Sequence, residues 1–289
     1  TLGGNNLIIG DSGIITAANE NGSRFADLPL TIGRMETVAF GDGGIDQINA
    51  GVVSGTLFDG NDIVLGGDEG DFINVGEGDN IVLGDDGLID FTRAERENVV
   101  GADRDASDID LIVSTSTTAA GGIDDIDSGS GDDILIGGRF GDSIDSLGGN
   151  NLVLGDSGRI TAANEAAPNF SSQPLTLGLV ETIEFGDGGS DTITTGIGND
   201  IVLGGHNDGV DGSTVETIDV GEGDNIVLGD DGAIDYARAD RGSVAPGADT
   251  DASDIDLIVS TSTTFAGGAD EIDSGSGDDI LIGGRFGDS

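Results

Sequence analysis

The 289-residue chain has no cysteine, no tryptophan and no lysine, and its ten basic residues are all arginine. Without cysteine, neither a disulfide framework nor a thiolate metal site is open to it. A single histidine, His206, removes the imidazole pairs used by acid–base relays and transition-metal sites. It stands in an Asn-Asp-Gly-rich stretch and reads as a solvated turn residue. No apolar run approaches the roughly 20 residues that a membrane-spanning helix needs, and no signal-peptide pattern is visible. Basic residues are few against 56 acidic ones, and the net charge of −46 excludes nucleic acid and anionic membrane as direct partners. Metal cations are the natural counterpart.

What the chain has in quantity is glycine, 54 residues, and it is periodic. From Ala119 the sequence falls into nines, AAGGIDDID, SGSGDDILI, GGRFGDSID and SLGGNNLVL, filling 119 to 154 without a gap. The sixth place reads Asp124, Asp133, Asp142 and Asn151; the eighth reads Ile126, Leu135, Ile144 and Val153. Glycine takes the first, second or fourth place, where the chain must turn and positive φ is often needed. The aliphatic stretch around the eighth place reads as a short strand with one side chain facing inward. The same frame puts Asp46, then Asp62, Asp71 and Asn80, in the sixth place of the first half. Asp191, Asp200, Glu216 and Asn225 follow in the second half, then Asp270, Asp279 and, in a truncated rung, Asp288. A turn of glycines and acids followed by one short strand is one rung of a solenoid.

Longer periods lie over the nine. GGNNLIIGDSGIITAANE at 3 to 20 returns as GGNNLVLGDSGRITAANE at 148 to 165, an offset of 145, which divides the chain into repeat units 1–145 and 146–289. Each unit contains two weaker half-units, in which a run of rungs alternates with an excursion that opens at a GD[SD]G turn. Strands are predicted in the excursions at 34–40, 108–117 and 180–185, forming hairpins with 14–17 or 88–91 beside the rungs. Thr1 is equivalent to Ser146 and Ser289 to Ser143, with no capping sequence at either end. The expectation is a segment of a longer array.

The rungs resemble the RTX (repeats-in-toxin) nonapeptide G-G-x-G-x-D-x-U-x. The resemblance covers about half the chain and implies an all-β fold, a parallel β-roll or β-solenoid of stacked nonapeptide rungs with β-hairpin excursions. It further implies that two nonapeptides form one coil, with Ca2+ ions held between turns stacked on the same edge. Carried over, the ligands are Asp46, Asp62, Asp71, Asp124, Asp133, Asp142, Asp191, Asp200, Asp270, Asp279 and Asp288, with carbonyls from the glycine turns. Several rungs depart from the pattern. Asn6, Asn80, Asn151 and Asn225 offer a neutral oxygen, Glu216 is a methylene longer, and Glu69, Phe140 and Phe286 replace the fourth-place glycine. Every asparagine rung precedes a GD[SD]G turn and reads as the last rung before an excursion. Stacked carboxylates at a strand spacing of about 4.8 Å repel by about 3.5 kcal/mol per neighbouring pair at an effective dielectric of 20, a repulsion that calcium would reverse. The chain is therefore expected to be expanded without calcium and stiff with it.

The acidic loop DRDASDID offers a looser calcium site at Asp103, Asp105 and Asp108, although it lacks the glycine and glutamate of an EF-hand. Most arginines lie in excursions, where local ion pairing or contact with neighbouring acidic chains would use them. Catalysis finds no support: the STSTT runs lack a base, and the near-duplicate copies argue against one unique site. Three functions remain. The first is an extracellular structural protein that self-associates through its repeats, as a fibre, surface layer, matrix component or adhesin stalk. The second is a calcium-triggered folding module of a type I secreted enzyme or toxin. The third is a binding surface for ice, mineral or polysaccharide.

Overall fold

The computed structural model describes residues 3–18, 24–26, 28–51, 60–93, 107–116, 120–163, 168–186, 188–207, 215–238, 253–262 and 267–289. Among them are twenty-three strands and no helix, arranged in three sheets with no closed barrel.

The first sheet is parallel and runs β1 (Leu7–Ile9), β5 (Ile63–Gly67), β7 (Ile81–Asp85), β11 (Ile134–Gly138), β13 (Leu152–Asp156), β17 (Ile201–Leu203), β19 (Ile226–Leu228) and β23 (Ile280–Ile282). The second, also parallel, runs β4 (Gln47–Asn49), β6 (Phe72–Asn74), β10 (Asp125–Ser130), β12 (Ser143–Gly148), β16 (Thr192–Thr194), β18 (Val215–Asp219) and β22 (Ala269–Asp273). Consecutive nonapeptides go alternately to the two sheets. Where no excursion intervenes, stacked strands of one sheet are therefore 18 residues apart, as in the Asp62–Asn80 step from β5 to β7. This winding is compatible with a solenoid.

The eighth-place side chains explain the pairing. Val64, Val82, Leu135, Val153, Val202 and Val227 of the first sheet meet Ile48, Ile73, Ile126, Ile144, Ile193 and Ile218 of the second in one buried cluster. The two kinds of rung differ on either side of that residue. Second-sheet strands flank it with polar residues, as in Thr192-Ile193-Thr194, and leave their other face to solvent. First-sheet strands flank it with Ile or Leu, as in Ile134-Leu135-Ile136, and in β5, β7, β11, β13 and β17 all three positions are buried. A strand apolar on both faces needs a layer on both faces.

The third sheet supplies that second layer. It is antiparallel and runs β2 (Gly13–Ala17), β3 (Ile32–Thr37), β8 (Gly87–Asp90), β9 (Leu111–Ser114), β14 (Gly158–Ala162), β15 (Leu177–Thr182), β20 (Gly232–Asp235) and β21 (Leu257–Ser260). The excursion strands fall where the alternation predicted, in β3, β9 and β15, but the hairpins are not separate. One row of cross-strand partners, Ile15, Met35, Ile89, Ile112, Ile160, Val180, Ile234 and Ile258, crosses all eight strands. From Met35 to Ile258 its members pack on the outer side chains of the first sheet, including Ile63, Leu65, Ile81 and Leu83, while Ile15 at the end of the row is exposed. The boundary between repeat units falls inside β12, and β9–β14, β10–β12 and β11–β13 pairings all cross it. Ion pairs Arg34–Glu36 and Arg159–Glu181 lie within the third sheet, so these two arginines are used locally.

Candidate metal centre

Each sixth-place residue stands immediately before or at the start of its strand, so the alternation of sheets sorts the predicted ligands into two columns. Before the second-sheet strands come Asp46, Asp71, Asp124, Asp142, Asp191, Glu216 and Asp270, with Asp288 next in line after β23. Before the first-sheet strands come Asn6, Asp62, Asn80, Asp133, Asn151, Asp200, Asn225 and Asp279. One edge is wholly acidic; the other alternates strictly between asparagine and aspartate.

On the acid edge, one oxygen of Asp71, Asp124, Asp142 and Asp191 is spent on the coil before it, and Asp270 Oδ1 accepts from Asn207 Nδ2 at 2.9 Å. The backbone N–H of Asp46 donates to Asp71 Oδ1 at 2.7 Å, Asp71 to Asp124 at 2.6 Å, Asp124 to Asp142 at 2.8 Å and Asp142 to Asp191 at 2.7 Å. The other oxygen has nothing. Oδ2 of Asp71, Asp124, Asp142, Asp191 and Asp270, and both oxygens of Glu216, are buried without a hydrogen-bond partner. Burial accordingly pushes these groups up, Asp71 and Asp124 to about 7 and Asp270 to about 8. Asp142, Asp191 and Glu216 are raised well above the carboxylate range, with neighbouring carboxylates adding to the burial at Asp142 and Glu216.

The orphaned oxygens face a row of glycines at the ends of the first-sheet strands. A Cβ on Gly66 would lie 1.9 Å from Gly84 O and 2.5 Å from Asp71 Oδ2. On Gly137 it would lie 2.2 Å from Gly155 O and 2.4 Å from Asp142 Oδ2. The space those side chains would fill is where one carboxylate oxygen and one turn carbonyl converge, coil after coil.

A second set of acids borders the same edge and was not singled out in the sequence. Asp11, Asp85, Asp156 and Asp230 are the aspartates of the four GD[SD]G turns, and each reaches across two further coils. Asp85 accepts from Gly122 N at 2.9 Å and from Arg139 N at 2.6 Å. Asp156 does the same with Gly189 and His206, and Asp11 with Gly44 and Asp68. Burial raises Asp85, and the nearby Asp124 charge raises it further; Asp156 is raised by burial and by Asp191. The signal was present, since these aspartates recur at fixed distance after every asparagine rung, but they were read only as turn markers.

On the amide edge, Asn80, Asn151 and Asn225 use both ends of their amides. Asn80 Oδ1 accepts from Asp62 N at 3.0 Å, while its Nδ2 donates to Gly78 O at 2.8 Å. Asn151 accepts from Asp133 N at 3.1 Å and donates to Gly149 O at 3.2 Å and Asp200 Oδ1 at 3.0 Å. Asn225 accepts from Asp200 N at 3.0 Å and donates to Gly223 O at 3.1 Å, and Asn6 donates to Gly4 O and Asp62 Oδ1. Of the aspartates between them, Asp133 and Asp200 use both oxygens. Asp133 accepts from Asn80 N and from Ser128 Oγ at 2.8 Å; Asp200 accepts from Asn151 N and from Thr195 Oγ1 at 2.7 Å. Burial still raises Asp133, to about 8, and raises Asp200. The fifth-place residues add a parallel ladder, including Asn61, Asp79, Asp132, Asn150 and Asn199.

Other residues fall differently from the sequence reading. His206 is buried rather than solvated. Its Nδ1 accepts from Gly267 N at 3.2 Å, the place that Asp68 Oδ1 fills for Gly121 N at 3.0 Å in the first unit. Of the looser acidic loop, Asp103 and Asp105 lie outside the described residues, and Asp108 leads into β9.

The residues of the acid edge fit an oxygen-seeking divalent cation: buried carboxylate oxygens without partners, carbonyls converging beside them, and glycines that leave the room. Among the described residues no three carboxylate or imidazole side chains gather as one metal-holding group, so backbone carbonyls would complete the shell. No family model, curated protein or solved structure matches the chain.

Proposed function

We propose that this is an extracellular, non-catalytic structural protein, a calcium-loaded β-roll of the RTX type that folds and stiffens as the ions bind. It would serve as part of a fibre, surface layer, matrix or adhesin stalk, associating through neighbouring repeats. The observation that carries this reading is the column of buried, unpartnered carboxylate oxygens on the acid edge. Buried carboxylates are stable only when paired, protonated or bound to metal. The whole chain carries only ten arginines against 56 acids. Bound calcium would neutralise the column and tie each coil to the next. Asp71, Asp124, Asp142, Asp191, Glu216 and Asp270 would hold it, Asp85, Asp156 and Asp230 would border it, and the Gly66, Gly84 and Gly155 carbonyls would add oxygens.

Sheets that run unbroken through the boundary between the two repeat units favour a rod over a string of separate modules. Circular dichroism with light scattering through a calcium titration, with magnesium as control, tests the reading. Cooperative gain of β-structure at about 10⁻⁴ to 10⁻³ M calcium, the range of extracellular modules, together with growth of long particles, is expected. Folding without growth would turn the assignment to a calcium-triggered secretion module. A fully folded chain in excess chelator would sink the calcium mechanism.

A further inference from the structure

We propose that between Asn80 and Asn225, where the contrast of the two edges is complete, calcium loads on the acid edge alone, and that asparagine is the residue that closes the other edge to it. This rests on the calcium reading above, and it departs from the symmetric ligand set that the nonapeptide pattern implies. The two edges share a backbone plan: a glycine turn, a sixth-place side chain, and an Oδ1 that accepts the N–H of the coil before. They differ in what meets the remaining atoms. At Asp71, Asp124, Asp142, Asp191 and Asp270 the second carboxylate oxygen is buried with no partner. At Asp133 and Asp200 it is held by the hydroxyl of Ser128 or Thr195, five residues upstream.

On the amide edge every second coil carries an Nδ2 group where a cation would have to sit. The orientation of these amides is fixed by their neighbours, because a backbone N–H can donate only to Oδ1. Nδ2 of Asn80, Asn151 and Asn225 must then point at the carbonyls of Gly78, Gly149 and Gly223, the turn oxygens a metal would need. The alternation Asn6, Asp62, Asn80, Asp133, Asn151, Asp200, Asn225, Asp279 also means that no two carboxylates are stacked in adjacent coils along the sixth-place column. The sixth-place column there therefore lacks the stacked carboxylate pairs of the acid edge, and its Asp133 and Asp200 feel like charge from the fifth-place Asp79 and Asp132.

The test is a count of ions bound per chain, by equilibrium dialysis with radioactive calcium, on the full chain and on variants checked for folding in saturating calcium by circular dichroism. The pair Asp133→Asn and Asp200→Asn is expected to leave the ion count unchanged. The pair Asp124→Asn and Asp142→Asn is expected to lower it and to raise the calcium midpoint at least tenfold. Should the latter pair fail to fold, Asn151→Asp gives the converse reading, since three successive carboxylates on the amide edge are expected to raise the count. Equal loss of ions from both paired variants would overturn the proposal while leaving the calcium reading intact. A wild-type chain that binds no calcium at 10 mM, about ten times the upper end of the extracellular range, would overturn both.

Discussion

At the scale of single residues, the glycines at the ends of the first-sheet strands are tightly constrained positions. A methyl on Gly137 would overlap both Gly155 O and Asp142 Oδ2, whereas a methyl on Gly44 meets nothing within 4 Å. Gly137→Ala is therefore expected to destabilise the calcium-loaded protein by about 3 kcal/mol or more and to weaken calcium binding. Gly44→Ala should change stability by less than about 1 kcal/mol. Urea unfolding at fixed calcium checks both, and a tolerated Gly137→Ala would contradict the close approach described here. The sixth-place residues were legible in the sequence because their spacing is constant. The role of asparagine was not, because Asn and Asp differ by one atom and only the identity of the stacked neighbours shows which atom is needed. His206 was misread for a related reason: it stands in a turn-rich stretch, yet a glycine N–H from 61 residues away fixes it inside.

At the scale of elements, the two strand types make a simple contrast. β11 is buried on both faces, Leu135 toward the second sheet and Ile136 toward the third; β12 buries Ile144 and exposes Asp145. Leu135→Ala and Ile136→Ala should each cost about 2–5 kcal/mol, and Ile144→Ala a similar amount. Asp145→Ala should stay within about 0.5 kcal/mol of wild type. Thermal unfolding of the four variants in calcium distinguishes this from a two-sheet structure, in which Ile136→Ala would be as mild as Asp145→Ala. The strands themselves were readable from the period of nine. The third layer was not, although its signature lay in the alternation of ILI and SID or IVL and TIT. A uniform reading of one inward side chain per rung passed over the second apolar face that the excursions come back to cover.

At the scale of the whole molecule, the charge of −46 and the buried acids set the pH response. Asp71 and Asp124 lie at about 7, and Asp133 and Asp270 at about 8, against a reference of 3.8, all raised first by burial. A carboxyl group whose folded value is raised favours the fold while it is protonated. That contribution is complete below about pH 4 and disappears as pH rises through 7 to 8. Metal-stripped protein should therefore hold more β-structure at pH 5 than at pH 8.5, and saturating calcium should remove or reverse the difference, because the ion competes with the proton. Circular dichroism melts at the two pH values decide the matter. Stability that rises with pH in stripped protein would mean that the acid edge is compensated by something other than protons or metal.

The strict alternation of the two rung types bears on how such a repetitive chain avoids pairing errors. A slip of one nonapeptide would send an apolar triplet such as Ile134-Leu135-Ile136 into the second sheet, with two side chains turned to water. A slip of a whole coil keeps the layers right but sets aspartate against aspartate along the amide edge, where the correct register sets each beside an asparagine. The sequence thus penalises both of the shortest mistakes. What it does not penalise is an exchange of equivalent strands between units 145 residues apart, so entanglement of neighbouring copies is the error to which this design stays open.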